Sequence, residues 1–157
     1  MLFVVAAAMV DADGRILLAQ RPPHKPMAGL WEFPGGKVHA DECPEEALVR
    51  ELREELGITT SAGCLYPAGF ITHPLSEASG QPDQEMSDCG GCNPLAPPRQ
   101  SDPDSQLLLL LYLCRRWEGI PHAHEGQVLK WVRPQEMNAL PMPPADRPLV
   151  AALRQML

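Results

Sequence analysis

The chain opens on a run of apolar residues, Met1–Val10, followed by Asp11-Ala12-Asp13-Gly14 and a second apolar run within Arg15–Gln20. Apolar run, Asp-Gly turn, apolar run is the pattern of a β-hairpin. Short strands are expected around Trp31–Phe33 and Lys37–Val38. The period then changes. Ala47, Leu48, Leu52 and Leu56 recur at three- and four-residue spacing and mark one apolar face of a helix. Pro44 suits a first helical position, where its missing N–H is not needed, and Gly57 supplies a left-handed stop. Cys43 then stands at the N-cap, a weaker choice than Ser, Thr or Asp, with Glu46 placed for a capping box. A strand near Leu65–Thr72 follows. Leu107–Leu111, inside Gln106–Cys114, suits a strand buried on both faces. Another strand at Val128–Val132, a short helix after Pro134 and a C-terminal helix from about Asp146 to Leu157 complete the order. Strands with few helices packed on them imply an α+β layering.

One segment breaks the pattern. Residues 74–105 hold six of the chain's 18 prolines and only Leu75, Met86 and Leu95 as sizeable apolar residues. Such a stretch cannot bury enough surface to offset its ordering entropy, so a long mobile loop inserted between two strands is expected. It contains Cys89 and Cys92 in a CxxC spacing, which can hold zinc or act as a redox pair. Zinc would need two further ligands, and only His73 is near in sequence, so a solvated loop is the favoured reading. The 157 residues read as a single domain, 1–157, with this insertion inside it.

Composition narrows the partners. The net charge is −7, which is unsuited to gripping a nucleic acid duplex by its phosphates. No segment reaches membrane-spanning length, and Met1–Val10 lacks the basic start of a signal peptide. Five cysteines, an odd number, give no disulfide framework, and a cytoplasmic, reducing location is expected.

The helix 44–56 carries the chemistry. Glu51, Glu54 and Glu55 fall within little more than one turn and project to one side, with Arg50 beside them. Like charges at this spacing repel by about 0.2–0.5 kcal/mol per pair. Taken alone, such a run is a solvated helix face; its frame changes that. Gly36, Glu42, Arg50-Glu51-Leu52, Glu54-Glu55 and Gly57-Ile58 fall at the spacing G-x5-E-x7-R-E-U-x-E-E-x-G-U, where U is a bulky aliphatic residue. This resembles the Nudix box at every specified position. The resemblance continues outside the box, to the MutT-like nucleoside triphosphate pyrophosphohydrolases, through Leu17–Arg21, Gly29–Lys37, Arg116–Gly119, Glu125–Gln127 and Pro143–Asp146.

That resemblance implies an α/β/α sandwich around a mixed sheet. It also implies attack of water on a nucleoside triphosphate to give monophosphate and pyrophosphate. The hallmark substrate of the branch is 8-oxo-dGTP, whose removal protects DNA from oxidised guanine. Mg2+ is the implied cofactor, with Mn2+ as a substitute, and a monomer is expected.

Magnesium takes a hard, near-octahedral oxygen shell. Glu51 and Glu55, one turn apart, are the leading ligand candidates, with Glu54 as a ligand or a base. The family pattern adds the Gly35 carbonyl. Glu125, within a His-rich turn whose His122 and His124 read as surface residues, is by its residues a solvated carboxylate, and by the resemblance one directed at metal and water. Arg50 is either a surface salt bridge or the holder of a neighbouring box carboxylate, the second being favoured. Glu42 is structural or an outer ligand. Lys37 is a phosphate contact or solvent-exposed, and Arg21 a phosphate or sugar contact or a solvated strand end. Phe33 and Trp31 are open to stacking on a base or to a core role.

Asp146 can cap the last helix and can also face the base. An ionised Asp accepts only. It can accept from N7–H of 8-oxoguanine, a donor that guanine lacks, or from the N4 amino group of cytosine. An oxidised purine nucleotide is therefore the first expectation, and CTP or a modified dCTP the alternative. A non-catalytic Nudix-fold nucleotide-binding module is the reading from another class; it would be marked by missing box carboxylates, and none is missing.

Overall fold

The computed structural model describes residues 1–75 and 106–157. The Cys89–Cys92 pair and nearly all of the Pro-rich insertion lie outside the described residues. Along the chain come β1 (Leu2–Met9), β2 (Ile16–Gln20), β3 (Trp31–Glu32), β4 (Gly35–Lys37), α1 (Pro44–Leu56), β5 (Leu65–Pro74), β6 (Gln106–Cys114), β7 (Val128–Val132) and α2 (Arg147–Met156). Short 3-10 turns lie at Ala62–Cys64 and Pro134–Ala139. No helix among the described residues is long and apolar enough to cross a membrane.

Two sheets form. One has the order β4-β1-β6-β5 and is mixed: β1 runs parallel to β6, from Leu2 opposite Leu107 to Met9 opposite Cys114, and its other pairs are antiparallel. The second, β3-β2-β7, is antiparallel. The expected α+β class with a mixed sheet stands. The expected hairpin of β1 with β2 does not. Only a single bridge, Val10 to Ile16, joins them around the Asp11–Arg15 turn. Both edges of β1 are already taken, by β4 and β6, so β2 is left to pair with β3 and β7.

The period-2 alternation of β1 divides the core. Val5, Ala7 and Met9 face Leu48, Leu52 and Leu56 of α1. Ala6, Ala8 and Val10 belong to the cluster with Leu149, Val150 and Leu153 of α2. The three leucines of α1 are wholly buried, each contributing about 1.5–3 kcal/mol. That burial fixes the rotation of the helix and turns its acidic side outward. Glu46 accepts from the Cys43 N–H at 3.1 Å at the start. At the end Gly57 adopts φ 68° and donates to Arg53 at 3.0 Å.

Strand β4 delivers the Gly35-Gly36 pair to this helix, with Val5 opposite Gly36 and Ala6 opposite Gly35. A Cβ on Gly35 would collide with the Val5 carbonyl and stand 2.7 Å from the Ala6 Cα. These are backbone atoms that cannot turn aside. Gly35→Ala is therefore expected to lose about 1–3 kcal/mol of stability, the range for overpacking. Gly63, with nothing within 4 Å of its would-be Cβ, is the control, and Gly63→Ala should stay within about 0.5 kcal/mol of the parent. Urea midpoints at a common m-value measure both; equal midpoints would refute the close-approach argument.

Candidate active site

Arg50 organises the acidic face of α1. Its Nη2 and Nε donate to the two carboxylate oxygens of Glu42 at 2.6 and 3.0 Å. Its Nη1 donates to Glu51 at 2.9 Å and to Glu54 at 3.3 Å, and Nη2 also reaches the Lys37 carbonyl at 3.0 Å. Of the two readings of Arg50, the contacts match the holder of box carboxylates. Glu42 is its principal partner. The hydrogen bonds from Arg50 and from the His39 N–H hold the Glu42 carboxyl down at about 2. Gly36 is what lets Glu51 in, since a Cβ there would overlap the Glu51 carboxylate.

Glu55 has no such cation. Burial pushes its carboxyl up to about 8, and the charges of Glu51, Glu125 and Glu32 push the same way, against the Gly35 N–H. Glu125 arrives from far along the chain because its loop is sewn to the end of α1. His122 N–H donates to the Leu56 carbonyl and His124 N–H to that of Glu55, both at 3.0 Å. The Gln127 side chain donates to the Glu55 carbonyl at 3.3 Å and accepts from the Glu125 N–H at 2.8 Å. Gly57 makes room for this loop: a Cβ there would lie 2.7 Å from the His124 ring.

Crowded carboxyls with one forced towards neutrality are a donor set that fits a hard divalent cation, whose charge would reverse the repulsion. As they stand, no three acidic, His or Cys side chains among the described residues are gathered closely enough to hold an ion. Glu51 and Glu54 are turned to Arg50 and would have to swing from it.

A cavity of about 440 Å3 runs from Gly35, Gly36 and Lys37 to Asp146. Arg21 is engaged rather than solvated, its Nε donating to Glu32 at 2.9 Å and its Nη1 to the Pro26 carbonyl at 3.1 Å. Phe33 is 5% exposed, so it serves the core while one part lines the cavity. Trp31 packs half-buried against the same core. Lys37 is exposed at the cavity edge. Asp146 occupies the residue before α2, but its side chain makes no capping hydrogen bond. It is 6% exposed. Burial, then the Glu32 charge, raises its carboxyl to about 7, against Arg21. Burying a carboxyl is costly unless it gains a partner, and this one lines the cavity, where a ligand could supply one.

Among the lining residues to which the sequence gave no role are Lys25, Met27 and Glu32. Glu32 lies inside the Gly29–Lys37 stretch that resembles the family. Lys25, in a proline-rich loop, gave no periodic signal. A second hollow, about 340 Å3 beside Cys64 and Arg116, contains none of the site residues.

The NUDIX domain family model matches residues 2–153. The chain is 38% identical over 148 residues to CTP pyrophosphohydrolase of Escherichia coli K12, spanning 94% of this chain and 88% of that protein. It is 32% identical over 146 residues to 8-oxo-dGTP diphosphatase of the same strain, spanning 93% and 91%. The solution structure of the E. coli ORF135 protein is similar with a TM-score of 0.73 and 36% identity, over 99% of this chain and 90% of that one. MutT from Aliivibrio salmonicida and Vibrio cholerae gives a TM-score of 0.66 at 29% identity, over 99% and 98%. The matches span the box, both sheets and the cavity wall, and the chain belongs to the MutT-like branch of the Nudix family, hydrolases of phosphoric anhydride bonds.

Proposed function

We propose that the protein hydrolyses 8-oxo-dGTP to the monophosphate and pyrophosphate with magnesium, and so cleanses the nucleotide pool that feeds DNA synthesis. The observation that carries this reading is the buried Asp146 carboxyl, which lines the same cavity as the Gly35-Gly36 edge of the box. Base and phosphates of one nucleotide can then be held at two ends of one cleft.

Glu51, Glu54, Glu55 and Glu125, with the Gly35 carbonyl, would hold the magnesium. The ion, when bound, supplies neutralisation of the polyphosphate and acidification of the attacking water. The chain's own residues position and move protons. Arg50 orients Glu51 and Glu54 from one side. Glu54 is the most exposed of the three box carboxylates that could act on water, and its one contact with Arg50 is the longest; it is the candidate base. Lys37 at the cavity edge is available to a phosphate oxygen. Arg21, tied to Glu32, braces the base end.

Asp146 reads the base. As a neutral acid it donates its O–H to O6 of 8-oxoguanine and accepts from N7–H. Guanine offers an acceptor at N7, so the Asp carbonyl would be left unpaired, at a cost of about 1–3 kcal/mol. A second reading has a specific observation behind it: the higher identity to the E. coli CTP pyrophosphohydrolase. The same acid pairs with N3 and the N4 amino group of cytosine, and CTP or a modified dCTP would then be the substrate.

A panel of kcat/KM values for 8-oxo-dGTP, dGTP, CTP and 5-hydroxy-dCTP separates these readings. A preference of about tenfold or more for 8-oxo-dGTP over dGTP is expected. A ratio near one would end the sanitising role, and CTP in first place would install the second reading.

Glu51→Gln and Glu55→Gln should each lower pyrophosphate release by about 10²–10³, the equivalent of several kcal/mol of lost charge stabilisation. Unchanged release in both variants would remove these residues from the metal site.

The pH dependence has a definite sign. With its carboxyl near 7, Asp146 is neutral and donating below that pH, and ionised and accepting only above it. The 8-oxo-dGTP kcat/KM should therefore fall about five- to tenfold, one hydrogen bond's worth, as pH rises through 7. Asp146→Asn keeps a donor and an acceptor at every pH. Dividing the wild-type profile by the Asn profile cancels the other titrating groups, and a flat quotient from pH 6 to 9 would exclude Asp146 as the switch.

A further inference from the structure

Lys25 sits in the loop between β2 and β3, and neither the box nor the base pocket as argued above uses it. Its Nζ is 3.5 Å from Glu125 Oε2, with both side chains nearly half exposed. Its charge also acts on Glu32 at the base end of the cavity, and it lines that cavity itself. One ammonium thus stands between the carboxylates of the metal end and those of the base end. A nucleotide spanning the two ends would carry the phosphate nearest its sugar between them.

The loop holds this placement firmly. Lys25 N–H donates to the Pro22 carbonyl at 3.1 Å, and Gly29 N–H to that of Arg21 at 3.1 Å. The Gln20 side chain donates to the Gly29 carbonyl at 3.0 Å and Arg21 to that of Pro26 at 3.1 Å. Met27 adopts φ 59°, the one positive-φ residue other than glycine among the described residues. A non-glycine residue in the left-handed region costs free energy and persists where surrounding contacts impose it, often beside a ligand. Met27 lines the same cavity.

The present partner of Lys25 is easily given up. A half-exposed Lys–Glu pair at 3.5 Å is worth about 0–1 kcal/mol. Glu125 would also be drawn to a divalent ion once one is bound, which frees the ammonium. The phosphate attached to the sugar carries two charges in the monophosphate and one in the triphosphate, and its oxygens accept charge-assisted hydrogen bonds from an ammonium at closer range than the present carboxylate oxygen.

We propose that Lys25 is a substrate-positioning residue that exchanges Glu125 for the phosphate group attached to the nucleotide's sugar. The proposal rests on the nucleotide reading of the site. It differs from that reading in naming a residue and a single phosphate.

Calorimetric titration in the presence of Mg2+ tests it without requiring turnover. The probes are 8-oxo-dGMP, CMP and inorganic pyrophosphate, against wild type, Lys25→Ala and Lys25→Arg. The Ala variant should weaken monophosphate binding about tenfold or more, the loss of one charge-assisted contact. Pyrophosphate binding should move less than about twofold, and Arg should restore most of the monophosphate affinity. In turnover, KM should rise in Lys25→Ala with kcat held, as for an interaction made equally in ground and transition states. Monophosphate affinity unchanged by Lys25→Ala would overturn the assignment. So would an equal loss for pyrophosphate, which would mark a general field rather than a contact at one phosphate. A wild type that binds monophosphates but turns over no triphosphate would count against the hydrolytic function and leave the binding comparison standing.

Discussion

One guanidinium organises the acidic side of this molecule. Arg50 ties the loop residue Glu42, the helix residues Glu51 and Glu54 and the Lys37 backbone of β4 into a single fan. Its position follows from burial on the opposite side of the same helix, where Leu48, Leu52 and Leu56 leave α1 one rotation against β1. The glycines of β4 complete the arrangement from the other direction, since only their missing side chains let the strand lie on β1 and let Glu51 reach the fan. Bidentate pairing with a guanidinium has fixed geometry as well as charge, so a lysine at this position would neutralise the cluster without setting its angles.

Glu55 and Asp146 lie outside the reach of that cation, and both carboxyls are pushed upward by burial. Each favours the neutral form in the folded chain, so each weakens the fold once the medium ionises it. Such groups oppose folding and persist where function requires them. Glu55 faces other carboxylates, the arrangement that a cation relieves. Asp146 faces a cavity, the arrangement in which a hydrogen-bonding base could relieve the burial. The two unfavourable burials are the reason for proposing that one nucleotide spans both.

The box helix was legible because several independent signals coincided on it: the leucine period, Pro44, Gly57 and the fixed spacing of the acids. Strand positions were legible too, β7 to the residue. Pairing was less so. The pattern of β1 and β2 is that of a hairpin, and nothing local reveals that β6, from the far half of the chain, takes the edge β2 would need. The site divides in the same way. Glu51, Glu54 and Glu55 announce themselves by being adjacent in sequence. Asp146 stood out only through a resemblance, and its protonation is set first by burial and then by Glu32, more than a hundred residues earlier in the chain. An ionised, acceptor-only Asp146 was the natural expectation from sequence; burial changes it to an acid that is half neutral near pH 7.

Glu32 also explains why the two ends cannot be independent. Its charge raises the carboxyl of Glu55 on one side and of Asp146 on the other, while Arg21 holds it in place at 2.9 Å. Burial raises Glu32 itself, and Arg21 and Lys25 oppose that rise. Beyond burial, which is the larger cause at both sites, the Glu32 charge favours the neutral form of Glu55 at one end and of Asp146 at the other. The two carboxyls therefore share one charged neighbour, held in place by its ion pair with Arg21.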